Sequence, residues 1–179
     1  MGLRPAKTIR EVKGQAWTRW SKRNMSKSYI KAMPHKDLHH LVMGNMQDDY
    51  NVVIHLVAQQ TYQHRDNAIE AARKAANGYM EKNMAGKYFF QIRVFPHRII
   101  RENKMVAGAG ADRIQKGMRR AFGKPTDRAA VVREGQAIFT VYTYNTNVDI
   151  VEEAFRRASK KLSGTFKVIV EPVGRANAG

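Results

Sequence analysis

Nine cationic side chains, Arg98, Arg101, Lys104, Arg113, Lys116, Arg119, Arg120, Lys124 and Arg128, share one segment with Gly108, Gly110, Gly117 and Gly123. Cations at that density attract phosphate, and glycines let a backbone approach it closely. The same residue types could instead build a nucleotide loop. The interval from Gly117 to Gly123-Lys124 is one residue too long for a P-loop, however, and Pro125 stands where Ser or Thr would hold magnesium. Gly108-Ala109-Gly110 likewise lacks the third Gly of a dinucleotide fingerprint. Contact with a polyanion is therefore the better reading.

Acid–base and metal chemistry find less support. Glu102 and Asp112 are the only carboxylates between Arg98 and Arg120, and the surrounding cations favour their charged form, so salt-bridge struts are expected. His39 and His40 are adjacent and point apart on any regular element, and the chain has no Cys to complete a zinc set with them or with His35. His55 lies mid-strand and is expected to pack or hydrogen-bond. His97 follows Pro96 at the edge of the basic segment, and no spacing suggests a Ser/His/Asp arrangement. The expectation is a protein without catalytic residues, cofactor or metal.

Charge is segregated along the 179 residues, whose 32 Lys plus Arg outnumber 15 Asp plus Glu and leave +17. Such an excess repels itself unless a polyanion neutralises it, which disfavours a free-standing metabolic enzyme. Residues 1–50 and 98–133 carry +6 and +7, whereas 51–97 and 134–179 carry +3 and +1. In the first block Arg4, Lys7, Arg10, Lys13, Arg19, Lys22, Arg23, Lys27, Lys31 and Lys36 alternate with Trp17, Trp20 and Tyr29. Cations with interleaved rings suit RNA, where phosphates and unpaired bases are both offered, although the tryptophans could equally anchor the arm to its own core. Absence of Cys excludes disulfide scaffolds and thiolate metal sites, and no apolar run suggests a signal core or membrane span, so an intracellular, cytoplasmic protein is expected.

The elements that must position these residues lie in the two milder blocks. Residues 50–58 alternate with Val52, Ile54 and Leu56 on one face, as a strand does. Thr61 is placed to cap a helix over 64–83 whose Ala68, Ile69, Ala72, Ala75, Ala76, Tyr79 and Met80 form a close-packing stripe. Asp66, Glu70, Arg73, Lys74, Asn77 and Glu81 fall opposite, on the polar face. Residues 88–95 form a second strand stopped by Pro96, and 136–143 a third. Asn147 is placed to cap a second helix with Val148, Val151, Phe155, Ala158 and Leu162 on its stripe, ended by Gly164 before a last strand at 166–170. This order predicts an α+β fold, a two-layer sandwich of two helices on a small mixed sheet. A single domain is expected over 50–172, with a basic loop insertion at 98–133, a basic arm at 1–49 and a flexible tail at 173–179.

Several dispersed blocks resemble one family. They are Arg4-Pro5-Ala6-Lys7, Arg65-Asp66-Asn67-Ala68-Ile69-Glu70-Ala71-Ala72-Arg73, Ile92-Arg93-Val94-Phe95-Pro96-His97 and Arg101-Glu102-Asn103-Lys104-Met105. The most specific is Gly108-Ala109-Gly110-Ala111-Asp112-Arg113, running on to Gly117-Met118-Arg119-Arg120-Ala121-Phe122-Gly123-Lys124-Pro125. In these the chain resembles the large-subunit ribosomal protein family L sixteen, in its archaeal and eukaryotic L-ten-e branch. Thr8-Ile9-Arg10 stands where that family tends to have Cys-Tyr-Arg, and Lys31-Ala32-Met33-Pro34 where a Gly is usual.

The resemblance implies a hammerhead-type fold, a place near 5S rRNA among helices of the large rRNA, and neighbouring ribosomal proteins as partners. It also implies that the loop carrying Arg101, Asn103, Lys104, Gly108, Gly110, Asp112 and Arg113 points toward tRNA acceptor ends and the peptidyl transferase region. Joined to the charge placement, it implies rRNA contacts for Arg4, Lys7, Arg10, Arg19, Lys22, Arg23, Lys27, Arg98, Arg119, Arg120, Lys124 and Arg128. The rivals are an RNA-processing or RNA-modifying enzyme, an assembly factor and a DNA-binding architectural protein. An enzyme would need paired carboxylates, a metal cluster or a cofactor loop, and none is visible in the sequence.

Overall fold

The computed structural model describes residues 3–12, 33–46, 49–106, 108–115, 117–119 and 121–173, with the backbone alone at Asp112. Strand β1 spans Val42–Gly44, β2 Val52–Ala58 and β3 Tyr62–Arg65; helix α1 spans Asp66–Met84, followed by β4 at Tyr88–Ile92. Strand β5 (Arg98–Glu102), the single-turn α2 (Ala111–Ile114) and β6 (Lys124–Val132) occupy the basic segment. Strand β7 (Ala137–Thr143), α3 (Val148–Ser159) and β8 (Phe166–Pro172) complete the order.

The fold is α+β, but the single mixed sheet that the sequence suggests is two sheets, both antiparallel. Five strands run in the order β1-β4-β7-β2-β8, and three in the order β3-β6-β5. The larger sheet follows from alternation: Ile54, Leu56, Phe90, Phe139 and Val141 all point to one side and are buried. Against them lie Ile69, Ala72, Ala76 and Met80 of α1 and Val151, Phe155 and Ala158 of α3, in one apolar core. Phe139 bridges the layers, edge-on to Phe90 at 5.3 Å and 6.5 Å from Phe155. The two helices therefore share one face of the larger sheet, as their stripes predict.

The smaller sheet is the principal departure. The basic segment is not a continuous loop, because its ends pair as β5 and β6 with Ile99 and Ile100 buried, and among the described residues between them only α2 is regular. Residues 62–65 are a strand, with Tyr62 to Arg65 opposite Val132 to Ala129, so His64 and Arg65 precede α1 instead of opening it. Thr61 consequently caps no helix; its hydroxyl accepts the Glu134 N–H instead. Asn147 makes no side-chain cap, since a 3-10 turn at Asn145–Asn147 already leads into α3. That helix stops at Ser159, ahead of Gly164.

Two described pieces of the first fifty residues are built into this frame. Strand β1 pairs with β4, and Ile9 joins Ile100 and Ala129 in a small second core. Burial also corrects the polar face assigned to α1, because Asp66, Glu70 and Arg73 are enclosed. Asp66 accepts the N–H of Asp37 at 3.0 Å, and Arg73 donates to Glu70 and to Sδ of Met43. The segment crossing the start of α1 is what covers these charges.

Candidate nucleic-acid interface

Backbone complementarity brings the start of the chain to the smaller sheet. Gln63 donates its backbone N–H to the Arg10 carbonyl at 2.8 Å and its side-chain amide to the Ile9 carbonyl. Arg65 donates to the Arg4 carbonyl at 2.6 Å. These bonds occupy the outer edge of β3, which would otherwise offer unpaired groups. They also leave Arg4 and Lys7 exposed, while the Arg10 guanidinium lies 5.2 Å from the Tyr62 ring centre.

The end of β5 positions the other half. Arg98 opens that strand, and Arg101 sits just past a register shift, opposite Pro125. The Arg101 guanidinium stands 3.5 Å above the Phe122 ring and donates to the Phe122 carbonyl. Planar stacking and a charge-assisted bond together hold the two ends of the loop against each other. Gly123 permits that approach: its φ is +76°, and a Cβ there would lie 2.8 Å from the Glu102 carbonyl carbon. No side chain fits without moving backbone. Farther out, Gln115 accepts the Val106 N–H at 2.7 Å and donates to the Lys104 carbonyl at 3.1 Å. Gly110 adopts φ +76° immediately before α2, the turn that carries Asp112 and Arg113.

Arm and loop thus meet. Arg4, from the start of the chain, and Arg101 and Asn103, nearly a hundred residues later, line one hollow of about 640 Å³ together with Thr8, Glu102 and Phe122. On the same loop and the start of β6, Lys104, Arg113, Arg119 and Lys124 are exposed, as are Gly108 and Gly110. Arg128 stands apart on β6, where it donates to the Pro34 carbonyl at 2.9 Å. Arg19, Lys22, Arg23, Lys27 and Arg120, like Trp17, Trp20 and Tyr29, lie outside the described residues, as does the Asp112 side chain. Glu102 is no strut: among the described residues its carboxylate has neither hydrogen bond nor ion pair.

The cations of α3 differ in kind. Arg156 grips Glu153 with two donors, and Arg157 reaches the same carboxylate at 2.8 Å. Those hydrogen bonds hold Glu153 down to about 2, so these arginines are already matched within the helix. His55 hydrogen-bonds Thr140 at 2.9 Å across the strands, and His97 the Phe95 carbonyl at 3.0 Å. Among the described residues no group of three or more His, Asp or Glu side chains could hold a metal ion, and no helix is long and apolar enough to cross a membrane.

Phe122 and Gln115 escaped the reading of the sequence. Phe122 had a signal, a ring two residues past Arg119-Arg120, which is the same cation-and-ring pattern used for the arm. Gln115 had none, because its role depends on where the chain returns.

The family described as Ribosomal protein L16p/L10e matches residues 15–169. The chain belongs to that family. Among its relatives, the large ribosomal subunit protein uL16 of Methanococcus aeolicus is 45% identical over 172 residues, 95% of each chain. The protein of the same name from Methanocella arvoryzae is 40% identical over 173 residues, 96% of each. That from Archaeoglobus fulgidus is 43% identical over 156 residues, 87% of this chain and 90% of the other. A ribosomal family accounts for the cation-rich composition. The resemblance carried by the dispersed blocks from Arg4 to Pro125 agrees with that match.

Proposed function

We propose that this chain is a structural, non-enzymatic constituent of the large ribosomal subunit in the cytoplasmic ribosome. It binds large-subunit rRNA near 5S rRNA, beside neighbouring ribosomal proteins, and helps shape the region that receives tRNA acceptor ends for peptidyl transfer. The observation that carries this reading is the hollow where Arg4 of the arm meets Arg101 and Asn103 of the loop, in a chain whose Lys7, Lys104, Arg113, Arg119 and Lys124 are all exposed. Arg10, Arg19, Lys22, Arg23, Lys27, Arg98, Arg120 and Arg128 extend the cationic surface along rRNA. The loop with Arg101, Asn103, Gly108, Gly110 and Asp112 is the part nearest tRNA. The arm at 1–49, the domain at 50–172 with its insertion at 98–133, and the tail at 173–179 divide the work: the domain folds, with β1 of the arm and β5 and β6 of the insertion built into its sheets, and the remaining cations of arm and insertion grip RNA.

The test is sedimentation with large subunits. The native protein should travel with them and leave only in high salt, because each phosphate contact releases counterions. Binding of the isolated chain to rRNA fragments should weaken steeply with salt. Arg119→Ala should reduce that slope by somewhat less than about one unit, whereas Arg156→Ala, whose guanidinium is engaged by Glu153, should leave it unchanged. A slope near zero, or equal losses for the two variants, would defeat the proposal. Deleting residues 106–111 should permit incorporation yet impair tRNA accommodation; normal translation by such subunits would remove the loop from the reading.

A further inference from the structure

The hollow at the junction of arm and loop contains groups that phosphate binding does not use. Its walls include Arg4, Arg101, Glu102, Asn103, Met118 and Phe122, and its volume of about 640 Å³ lies in the range of small-molecule sites. One wall is flat: the guanidinium of Arg101 is layered on the Phe122 ring, and Phe122 is 40% exposed. Unpaired bases stack on such aromatic and guanidinium planes.

Polar groups narrow the choice of base. The Glu102 carboxylate has no partner among the described residues, and Nδ2 of Asn103 is buried without an acceptor. A carboxylate repels phosphate and accepts only from donors. Guanine alone among the four RNA bases presents two adjacent N–H donors, N1 and N2, to match the two oxygens of one carboxylate. Its O6 acceptor stands next to N1–H, where an amide donor such as Asn103 completes the edge. Adenine, cytosine and uracil each set an acceptor lone pair against the carboxylate.

We infer that this hollow holds a single unpaired guanine of RNA, stacked on the Arg101–Phe122 layer, with Glu102 and Asn103 reading its Watson–Crick edge. Arg4, at the same hollow, meets the phosphate of that nucleotide. The inference rests on the RNA-binding reading above and adds a base-specific site to it.

The experiment uses the full chain and fluorescein-labelled octauridine carrying one central guanine, adenine, cytosine, inosine or no replacement, with affinity measured by anisotropy at several salt concentrations. The guanine oligonucleotide should bind on the order of ten-fold tighter than the others, with inosine, which lacks N2, in between. Glu102→Gln should abolish that advantage while the steep salt dependence persists, and Asn103→Ala should reduce it. Both variants should melt with the parent, since neither side chain belongs to the apolar core. Guanosine monophosphate should compete only at far higher concentration; competition equal to the oligonucleotide would overturn RNA as the source. Equal affinity for all five oligonucleotides, or a guanine advantage that survives both variants, overturns the site. Steep salt dependence without base preference defeats this inference alone, whereas binding that ignores salt defeats the RNA-binding reading beneath it.

Discussion

Gln115 donates its side-chain N–H to the Lys104 carbonyl at 3.1 Å while its amide oxygen takes the Val106 N–H at 2.7 Å. One residue thereby closes a loop rich in glycine and positive charge, whose ordering would otherwise be entropically costly. Gln115→Ala removes both bonds, each worth about 0.5–1.5 kcal/mol net. Because both lie outside the cores, the variant should unfold within a few degrees of the parent. Amide exchange at Val106 should accelerate, and hydrogen exchange by mass spectrometry reads the effect directly. Unchanged protection there would mean that the Arg101–Phe122 layer orders the loop by itself.

His64 supplies a pH dependence. It is 2% exposed in β3, with its ring 6.1 Å from Phe166, and burial lowers its pKa from 6.5 to about 4. Between those values the unfolded chain binds the proton and the folded chain does not, so stability rises with pH across that window and levels off above 6.5. The span corresponds to about 3 kcal/mol. Denaturant titrations at pH 4.5 and 7 should show the loss in the parent and a much smaller one in His64→Gln.

The buried pair in α1 behaves differently. Side chains of Glu70 and Arg73 are 11% and 10% exposed, and the guanidinium donates to both carboxylate oxygens. Arg73→Met leaves the enclosed Glu70 carboxylate only the exposed Lys74 ammonium at 3.7 Å and should cost up to about 3–5 kcal/mol, whereas Glu70→Leu with Arg73→Met should recover most of it. Hydrogen bonding by Arg73 holds the Glu70 carboxyl below 4.5, so this contribution is complete above that pH and is lost as pH falls through the folded value. Asp66 opposes it: burial raises its pKa above 3.8, and stability declines as pH rises through that interval. Acid titrations of the single variants separate the two signs.

Phe155 and Phe122 should divide stability from binding. Phe155 is fully enclosed between α3 and β7, and Phe155→Ala should cost roughly 3–5 kcal/mol. Phe122 is 40% exposed, so Phe122→Ala should destabilise by about 1 kcal/mol or less and weaken RNA binding instead. Thermal melts paired with anisotropy decide between them, and equal melting losses would place Phe122 in the core.

What the sequence determines by itself is whatever repeats locally. The alternation of Val52, Ile54 and Leu56, and the helical stripes through Ile69 and Phe155, specify β2, α1 and α3, because a buried face needs a fixed residue period. Net charge and the absence of Cys limit the chemistry before any fold exists. Tertiary structure alone decides the rest. Residues 62–65 become a strand because β6, more than sixty residues later, offers them partners, and Arg98–Glu102 joins the same sheet. Glu70 and Arg73 read as a solvated face until the segment around Asp37 crosses them. The hollow shared by Arg4, Arg101 and Asn103 has no linear signature, since it forms only where the arm, tied to β3, runs beside the end of β5. Local periodicity encodes which side of an element is buried; which distant element buries it is settled by pairing and packing across the whole chain.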